Sequence, residues 1–281
     1  GHRDRPSQRT MADAVAAVLD RGGQLAVEAP TGTGKSLAYL IPAAGRAARP
    51  DQPVVVATKT KLLQRQLRDE AERLRSLGML RAPFRQVQGV GNYICTREVH
   101  DALEAGDLQG SEWVATAVAV RALATAPNGL WDDVTDGALV RSDLRYARQR
   151  WSLRATTSSC ERAGCPNVDR CPLYLRLRGI DRNPGILSVN HAVVASWVQL
   201  TREGKKAPGD VLSEGSKVSL VFDEAHDLED SLTAAWTDSV GALAVHGLIG
   251  SLWSRRGPIA RARAAARRVG AEVDALRALD T

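Results

Sequence analysis

Aromatic residues are scarce in this sequence: two Phe, four Tyr and six Trp make up 4% of 281 residues. Hydrophobic residues still reach 44%, so a sizeable core is available, and aliphatic and Ala-rich packing must dominate it. Long apolar runs are missing as well. The stretches at 114–120 and 218–222 fall far short of the about 20 residues that span a bilayer. The first twenty residues are charged and lack the apolar segment of a secretory leader, so a soluble, cytoplasmic chain is expected. No internal repeat or low-complexity tract stands out. Cysteine is limited to Cys95, Cys160, Cys165 and Cys171.

The formal charge is +6 and is unevenly placed. Between residues 141 and 182 ten arginines face four acids, so the rest of the chain sums to about zero. Charge alone fits either a solvated face or a polyanion partner. Three of the four cysteines lie inside this basic stretch, which ties it to thiol chemistry.

The first ninety residues alternate short apolar runs with helical spacing, the pattern of a parallel α/β sheet. Residues 25–29 read as a strand, 35–46 as a helix, 54–58 as a strand buried on both faces, and 61–77 as a helix. From about 95 to 182 regularity is helical (113–124), with loops around the cysteines. Strand character returns at 185–189 and 218–222, separated by an expected exposed loop at 203–217. After Asp227 the Ala-, Arg- and Leu-rich tail predicts helix, with Arg261, Arg263, Arg267 and Arg268 on one basic flank.

Ala29-Pro30-Thr31-Gly32-Thr33-Gly34-Lys35-Ser36 has the Walker A spelling, with Ala at its first Gly position. Several backbone N–H groups must meet triphosphate oxygens together, and Gly32 and Gly34 permit that turn. The loop leads into a helix N-terminus, whose free N–H groups and dipole favour negative charge. Lys35 is expected on the β- and γ-phosphates of ATP and Ser36 in a Mg2+ shell. Val218-Ser219-Leu220-Val221-Phe222 then runs into Asp223-Glu224-Ala225-His226. A carboxylate leaving a buried strand stands at the carboxyl edge of the sheet, where ligands bind in open α/β folds. Asp223 is expected to hold Mg2+, Glu224 to orient or deprotonate water, and His226 to couple the site to a second domain.

The four thiols have no unique reading by spacing. A pair of disulfides suits a reduced cytosol poorly. Four-thiolate zinc is open, although zinc more often takes two C-x2–4-C pairs, whereas the last three cysteines here are spaced C-x4-C-x5-C. A [4Fe–4S] cluster also takes four thiolates and tolerates a distant ligand.

Taken together, the Walker A loop and the Asp-Glu-Ala-His box resemble superfamily 2 helicases. The cysteines lie in the 187 residues between Lys35 and Asp223, one isolated and three close, after Gly91-Asn92-Tyr93-Ile94. With Ser188-Val189-Asn190-His191-Ala192 they resemble the iron–sulfur DNA helicases of the DinG/XPD type, bacterial DinG branch. The likeness covers roughly residues 5–235. It implies a RecA-like motor with a [4Fe–4S] module on Cys95, Cys160, Cys165 and Cys171, zinc being the lesser alternative. It implies a Q motif at residues 5–11, with Gln8 reading adenine, and a motif Ia at Thr58, Lys59, Thr60 and Lys61 touching the nucleic-acid backbone. Single-stranded and forked or flapped DNA, 5′→3′ movement, a monomer and a place at the bacterial nucleoid follow from the same resemblance.

The expected organisation is a motor part at 3–92, the iron–sulfur module at 93–184, a second motor part at 185–235 and the start of a helical arch at 236–281. The chain stops 55 residues past His226 without a second sheet or a Ser-Ala-Thr motif. A second RecA-like domain with its arginine finger is therefore expected elsewhere, and this polypeptide alone should bind ATP weakly, hydrolyse it poorly and not unwind DNA. Two other readings compete: a metal-stabilised nucleic-acid-binding module with a P-loop switch, and a P-loop ATPase acting on protein complexes. The basic cysteine segment argues against the latter.

Overall fold

The computed structural model describes residues 5–30, 32–125, 128–134, 150, 152–156, 160, 164–205, 207–208, 211–212, 215–237, 259 and 262. Two compact units separate at Trp236, and the sheet belongs to the first of them, residues 1–235. Of the helical tail expected after Asp227, residues 228–236 are helical, while Arg261, Arg263, Arg267 and Arg268, Thr31, and the arginines at 141, 145, 148 and 162 lie outside the described residues.

Four parallel strands form one sheet in the order β2-β3-β1-β4. They are β1 (Val54–Thr58), β2 (Phe84–Gln86), β3 (Ile186–Asn190) and β4 (Ser219–Phe222). Before β2 come α1 (Pro6–Arg21), α2 (Lys35–Arg46) and α3 (Lys61–Ser76). Between β2 and β3, where the insertion is expected, stand α4 (Thr96–Ala105), α5 (Ser111–Thr125) and α6 (Pro172–Arg182). After β3 the described residues include α7 (His191–Arg202) and α8 (Leu228–Trp236).

Period-two alternation sends β1 and β3 into two cores. Val54, Val56 and Ile186 pack with Tyr39, Leu40, Leu67, Ala71 and Leu74 of α2 and α3 on one face. Val55, Ala57, Leu187 and Val189 pack with Leu173, Leu177, Val193 and Trp197 of α6 and α7 on the other. All five residues of β1 are buried, as a β-branched run inside a parallel sheet should be. The inserted segment has a smaller cluster of its own, with Ile94, Val99, Ala102, Ala119, Trp131 and Leu153. Gln64 of α3 is fully buried and donates to the carbonyls of Val87 (3.2 Å) and Ser188 (3.1 Å), tying the helix to the sheet.

Three expectations are corrected. The strand expected to be buried at 218–222 forms as β4 but is only half-buried, with Leu220 43% exposed, because it is an edge strand of the described sheet. Residues 25–29 are not a strand, and Leu25 and Val27 are each 44% exposed. An extended segment becomes a strand only by pairing its backbone groups with a neighbour, and among the described residues the sheet ends at β4. The 203–217 stretch is not wholly an exposed loop: Ala207 and Val211 are buried against the α7 face. No described helix is long and apolar enough to cross a membrane.

Candidate functional site

Gly34 takes a left-handed conformation (φ 82°) and caps α2, so Lys35 and Ser36 occupy the first turn of that helix. Across from them the chain leaves β4 at Asp223, whose N–H donates to the Ala57 carbonyl (2.8 Å). The next residue, Glu224, is the one described non-glycine residue with positive φ (52°). That twist brings its carboxylate to Lys35, with Nζ 3.3 Å from Oε1. The expected phosphate lysine and the expected water-orienting acid, 189 positions apart, are thus direct partners. Both are about 30% exposed (27% and 31%), so the pair is a displaceable contact with solvent access.

Tyr39 on α2 was not anticipated from sequence, though its spacing of three from Ser36 puts both on one helix face. Its hydroxyl donates to Asp223 Oδ2 at 3.1 Å. Burial, reinforced by the Asp223 carboxylate, pushes the Tyr39 phenol far above its ordinary value, so it remains a donor. His191 was singled out only as part of a motif. It is buried, and its Nε2 lies 3.1 Å from the Asp223 carbonyl oxygen. His226 is 72% exposed and flanked by Glu224 Oε2 (3.5 Å) and Asp227 Oδ2 (3.2 Å).

Gln8 donates through Nε2 to the Gly34 carbonyl (2.9 Å), and Arg5 donates to that of Gly32 (3.0 Å), so α1 is fastened to the loop. Thr33 closes the turn through its hydroxyl on the Pro30 carbonyl (2.8 Å). A cavity of about 330 Å³ opens here, walled by Gln8, Met11, Val27, Ala29, Pro30 and Thr33. A Cβ on Gly34 would lie 2.1 Å from Gln8 Nε2. We expect Gly34→Ala to lower the melting temperature by about 3–8 °C, from about 1–2 kcal/mol of left-handed strain plus displacement of Gln8. Adding Gln8→Ala should recover part of that loss; strictly additive melting shifts would contradict the clash.

Of the four motif Ia residues, Thr58 is 1% exposed and its hydroxyl donates to the Thr60 carbonyl (3.3 Å). The Thr60 hydroxyl caps α3 by accepting from Leu63 N–H (3.2 Å). Both hydroxyls are therefore committed to the turn, and the two lysines carry its outward chemistry. Lys59 pairs with Asp227 (2.7 Å), and this contact holds the Asp227 carboxyl below its usual range. Lys61 pairs with Asp132 of the insertion (3.0 Å). One short turn thus contacts both the Asp-Glu-Ala-His side and the inserted segment.

The four cysteines line a single cavity together with Arg97, Ala155, Val168, Leu173 and Tyr174. Antiparallel bridges of Tyr93 to Leu130 and of Ile94 to Arg154 set Cys95, whose N–H donates to the Leu153 carbonyl (2.8 Å). Cys95 and Cys171 each stand immediately before a helix, α4 and α6. Burial pushes both thiols up, while the amides of Glu98 and Arg97, and of Tyr174 and Leu173, pull them back. Cys160 and Cys165 are close enough to raise Cys171 further. Among the described residues the group of three or more candidate metal-ligand atoms within 4.8 Å is His100, Asp101 and Glu104 on the α4 surface, so no three of the sulfurs crowd that tightly.

The family model for DEAD/DEAH box helicase matches residues 5–97, a span that holds the Walker A turn, Gln8 and the motif Ia turn. The ATP-dependent helicase DinG of Mycobacterium tuberculosis (strain H37Rv) is 37% identical over 251 residues, 83% of this chain and 36% of that protein. By sequence this chain is similar to the DinG-type DEAD/DEAH-box helicases. Other DinG-type relatives are more distant. The ATP-dependent DNA helicase YoaA of Escherichia coli (strain K12) is 28% identical over 82% of this chain and 34% of its own length. The ATP-dependent DNA helicase DinG of Salmonella typhimurium is 27% identical over 83% of this chain and 34% of its own. The chain spans about a third of the length of these DinG-type relatives.

Proposed function

We propose that this chain is the Mg2+–ATP-binding part of an ATP-dependent DNA helicase, and that its inserted module holds an iron–sulfur cluster and contacts single-stranded DNA. The observation that carries the first half is the meeting of Lys35 with Glu224 (3.3 Å) and of Tyr39 with Asp223 (3.1 Å). It brings the Walker A helix to the carboxyl end of β4. In this reading Lys35 exchanges Glu224 for the β- and γ-phosphate oxygens. Ser36 and Asp223 would hold Mg2+, whose charge would offset that of the phosphates, and the freed Glu224 would orient the attacking water and accept its proton. The cavity beside Gln8 lies within the range of ligand pockets, about 300–1,000 Å³, and accommodates the base.

For the module, a single zinc ion with bonds of about 2.3 Å would draw four sulfurs to roughly 3.8 Å of one another. The four thiols do line one cavity, as a four-thiolate metal centre of either kind requires, and the one-then-three cysteine pattern of the iron–sulfur helicases favours the cluster. A bound cluster would cross-link segments distant in sequence, and Cys95 and Cys171, each directly before a helix, would tie the starts of α4 and α6 to it. Lys59 and Lys61, beside that module, supply backbone contacts for a strand. Movement 5′→3′ on forked or flapped DNA belongs to the same proposal.

Two titrations of the chain test it. Mg2+–ATP should bind, and single-stranded DNA should bind with a steep salt dependence, about −0.7 in log K per log salt for each neutralised phosphate. Four contacts give a slope of about −3. A chain that ignores Mg2+–ATP, or binds DNA with no salt slope, overturns the reading.

A further inference from the structure

Asp223 is anchored at three points, more than a metal ligand requires from its own strand. Its N–H donates to the Ala57 carbonyl (2.8 Å), which merely continues the β1–β4 ladder. The other two anchors come from elsewhere in the chain. The Tyr39 hydroxyl reaches the carboxylate (Oδ2, 3.1 Å), and the His191 ring reaches the backbone carbonyl (Nε2, 3.1 Å). Both side chains are almost fully buried, with exposures of 3% and 1%. A carbonyl oxygen only accepts, so Nε2 carries the proton, and among the described residues Nδ1 has no hydrogen-bond partner. His191 is thus spent on a single contact, which a residue retained only to fill space would not explain; Phe222, 6.2 Å away centroid to centroid, marks an apolar setting where a second ring would fit.

The backbone immediately after Asp223 is strained, and the anchors hold it there. Glu224 sits at φ 52°, ψ 49°, a conformation that L residues leave unless the surroundings enforce it. Fixing Asp223 at its N–H, carbonyl and carboxylate leaves the chain little freedom to relax that turn. On the other side, the Ser36 hydroxyl approaches the same phenol oxygen from one turn earlier on α2. Tyr39 therefore interacts with both side chains to which the proposed function assigns the cation.

We infer that Tyr39 and His191 are positioning residues: a brace that sets the Asp223 carboxylate against the Ser36 hydroxyl at the separation a divalent cation needs. The inference rests on the nucleotide-site reading above. Neither side chain touches nucleotide or cation. Tyr39 orients the carboxylate, whose other oxygen remains for the metal, and His191 holds the backbone from which that carboxylate projects.

The test is a fluorescent-ATP-analogue titration of the whole chain in EDTA and across a Mg2+ series, for wild type, Tyr39→Phe and His191→Phe. Wild type should bind more tightly as Mg2+ is added. Tyr39→Phe keeps the ring and should leave affinity in EDTA within about twofold, while shifting the Mg2+ midpoint at least about tenfold higher, the effect of one hydrogen bond to a charged group. Excess Mg2+ should then restore the wild-type plateau, a rescue that simple unfolding would not show. His191→Phe should move the midpoint the same way by a smaller factor, and it decides the matter if Tyr39→Phe does not fold. Wild-type midpoints in the folded variants would overturn the brace alone. A wild type whose nucleotide affinity does not respond to Mg2+ would overturn the nucleotide-site reading and the brace together.

Discussion

Lys35→Ala and Glu224→Gln should move ATP affinity in opposite directions. Lys35 has two competing partners, the Glu224 carboxylate 3.3 Å away and the incoming phosphates. Truncating it removes a charge-assisted contact to the ligand and leaves Glu224 facing the phosphates alone. Loss of one partner in such a pair costs about 2–5 kcal/mol, and at about 1.4 kcal/mol per tenfold the affinity should fall by about thirtyfold to several thousandfold. Glu224→Gln does the reverse. The amide has no charge to repel phosphate and competes less for Lys35, so affinity should rise by up to about fivefold, the value of an exposed ion pair. Hydrolysis, where it can be measured, should fall by about 10²–10⁴, the usual contribution of a general base. Gln tolerates the positive-φ position no worse than Glu, so the melting temperature should hardly change. Equilibrium binding of a fluorescent ATP analogue checks both variants, and a parallel loss of affinity in the two would refute the exchange of partners at Lys35.

Cys165→Ser, in protein purified without oxygen, should abolish the visible absorption and most of the iron and acid-labile sulfide. The consequence should reach beyond the module. Cys95, Cys160 and Cys171 pack against the same core as β1, β3 and α7, whereas the insertion's own cluster is small. Structural metal sites contribute about 10–16 kcal/mol to the folding of small zinc domains, far more than the about 2–5 kcal/mol of one large-to-small core substitution. Loss of one ligand should therefore open residues 93–184 to protease and lower single-strand affinity by about tenfold or more. The cluster packing Val54, Val56 and Ile186 against α2 and α3 contains no cysteine, so Mg2+–ATP binding should survive. Iron and zinc analysis beside limited proteolysis decides the outcome. Full zinc and no iron in the wild type would remove the cluster from the proposal, and unchanged protease resistance in the variant would remove its structural role.

The elements that sequence disclosed are those whose signal is local. β1 shows itself as a run of four apolar residues and a Thr, and all five are buried. α3 shows itself by Leu67, Ala71 and Leu74, which face the core at helical spacing. The Walker A turn is local too, because Gly34 must accept a left-handed backbone ahead of α2. Residues 25–29 failed for the complementary reason. Apolar composition permits a strand, but only a neighbouring ladder makes one, and the described sheet ends at β4. Thr58 to Lys61 were expected to touch a nucleic-acid backbone, and the commitment of the Thr58 and Thr60 hydroxyls to the turn itself was invisible until the α3 cap was seen.

By itself, then, the order of residues determined the strands and helices of a parallel α/β sheet, a Gly-rich loop ahead of a helix, an acidic turn after an apolar strand and three close thiols, because each depends on backbone conformations and spacings within about a dozen positions. Only the tertiary structure decided that Tyr39 and His191 converge on Asp223, that Lys35 rests on Glu224, and that Lys61 reaches Asp132. Those contacts join positions about 30 to 190 apart. No periodicity encodes them, since they arise when β1, β3 and β4 settle side by side and carry the ends of their connecting segments to one edge.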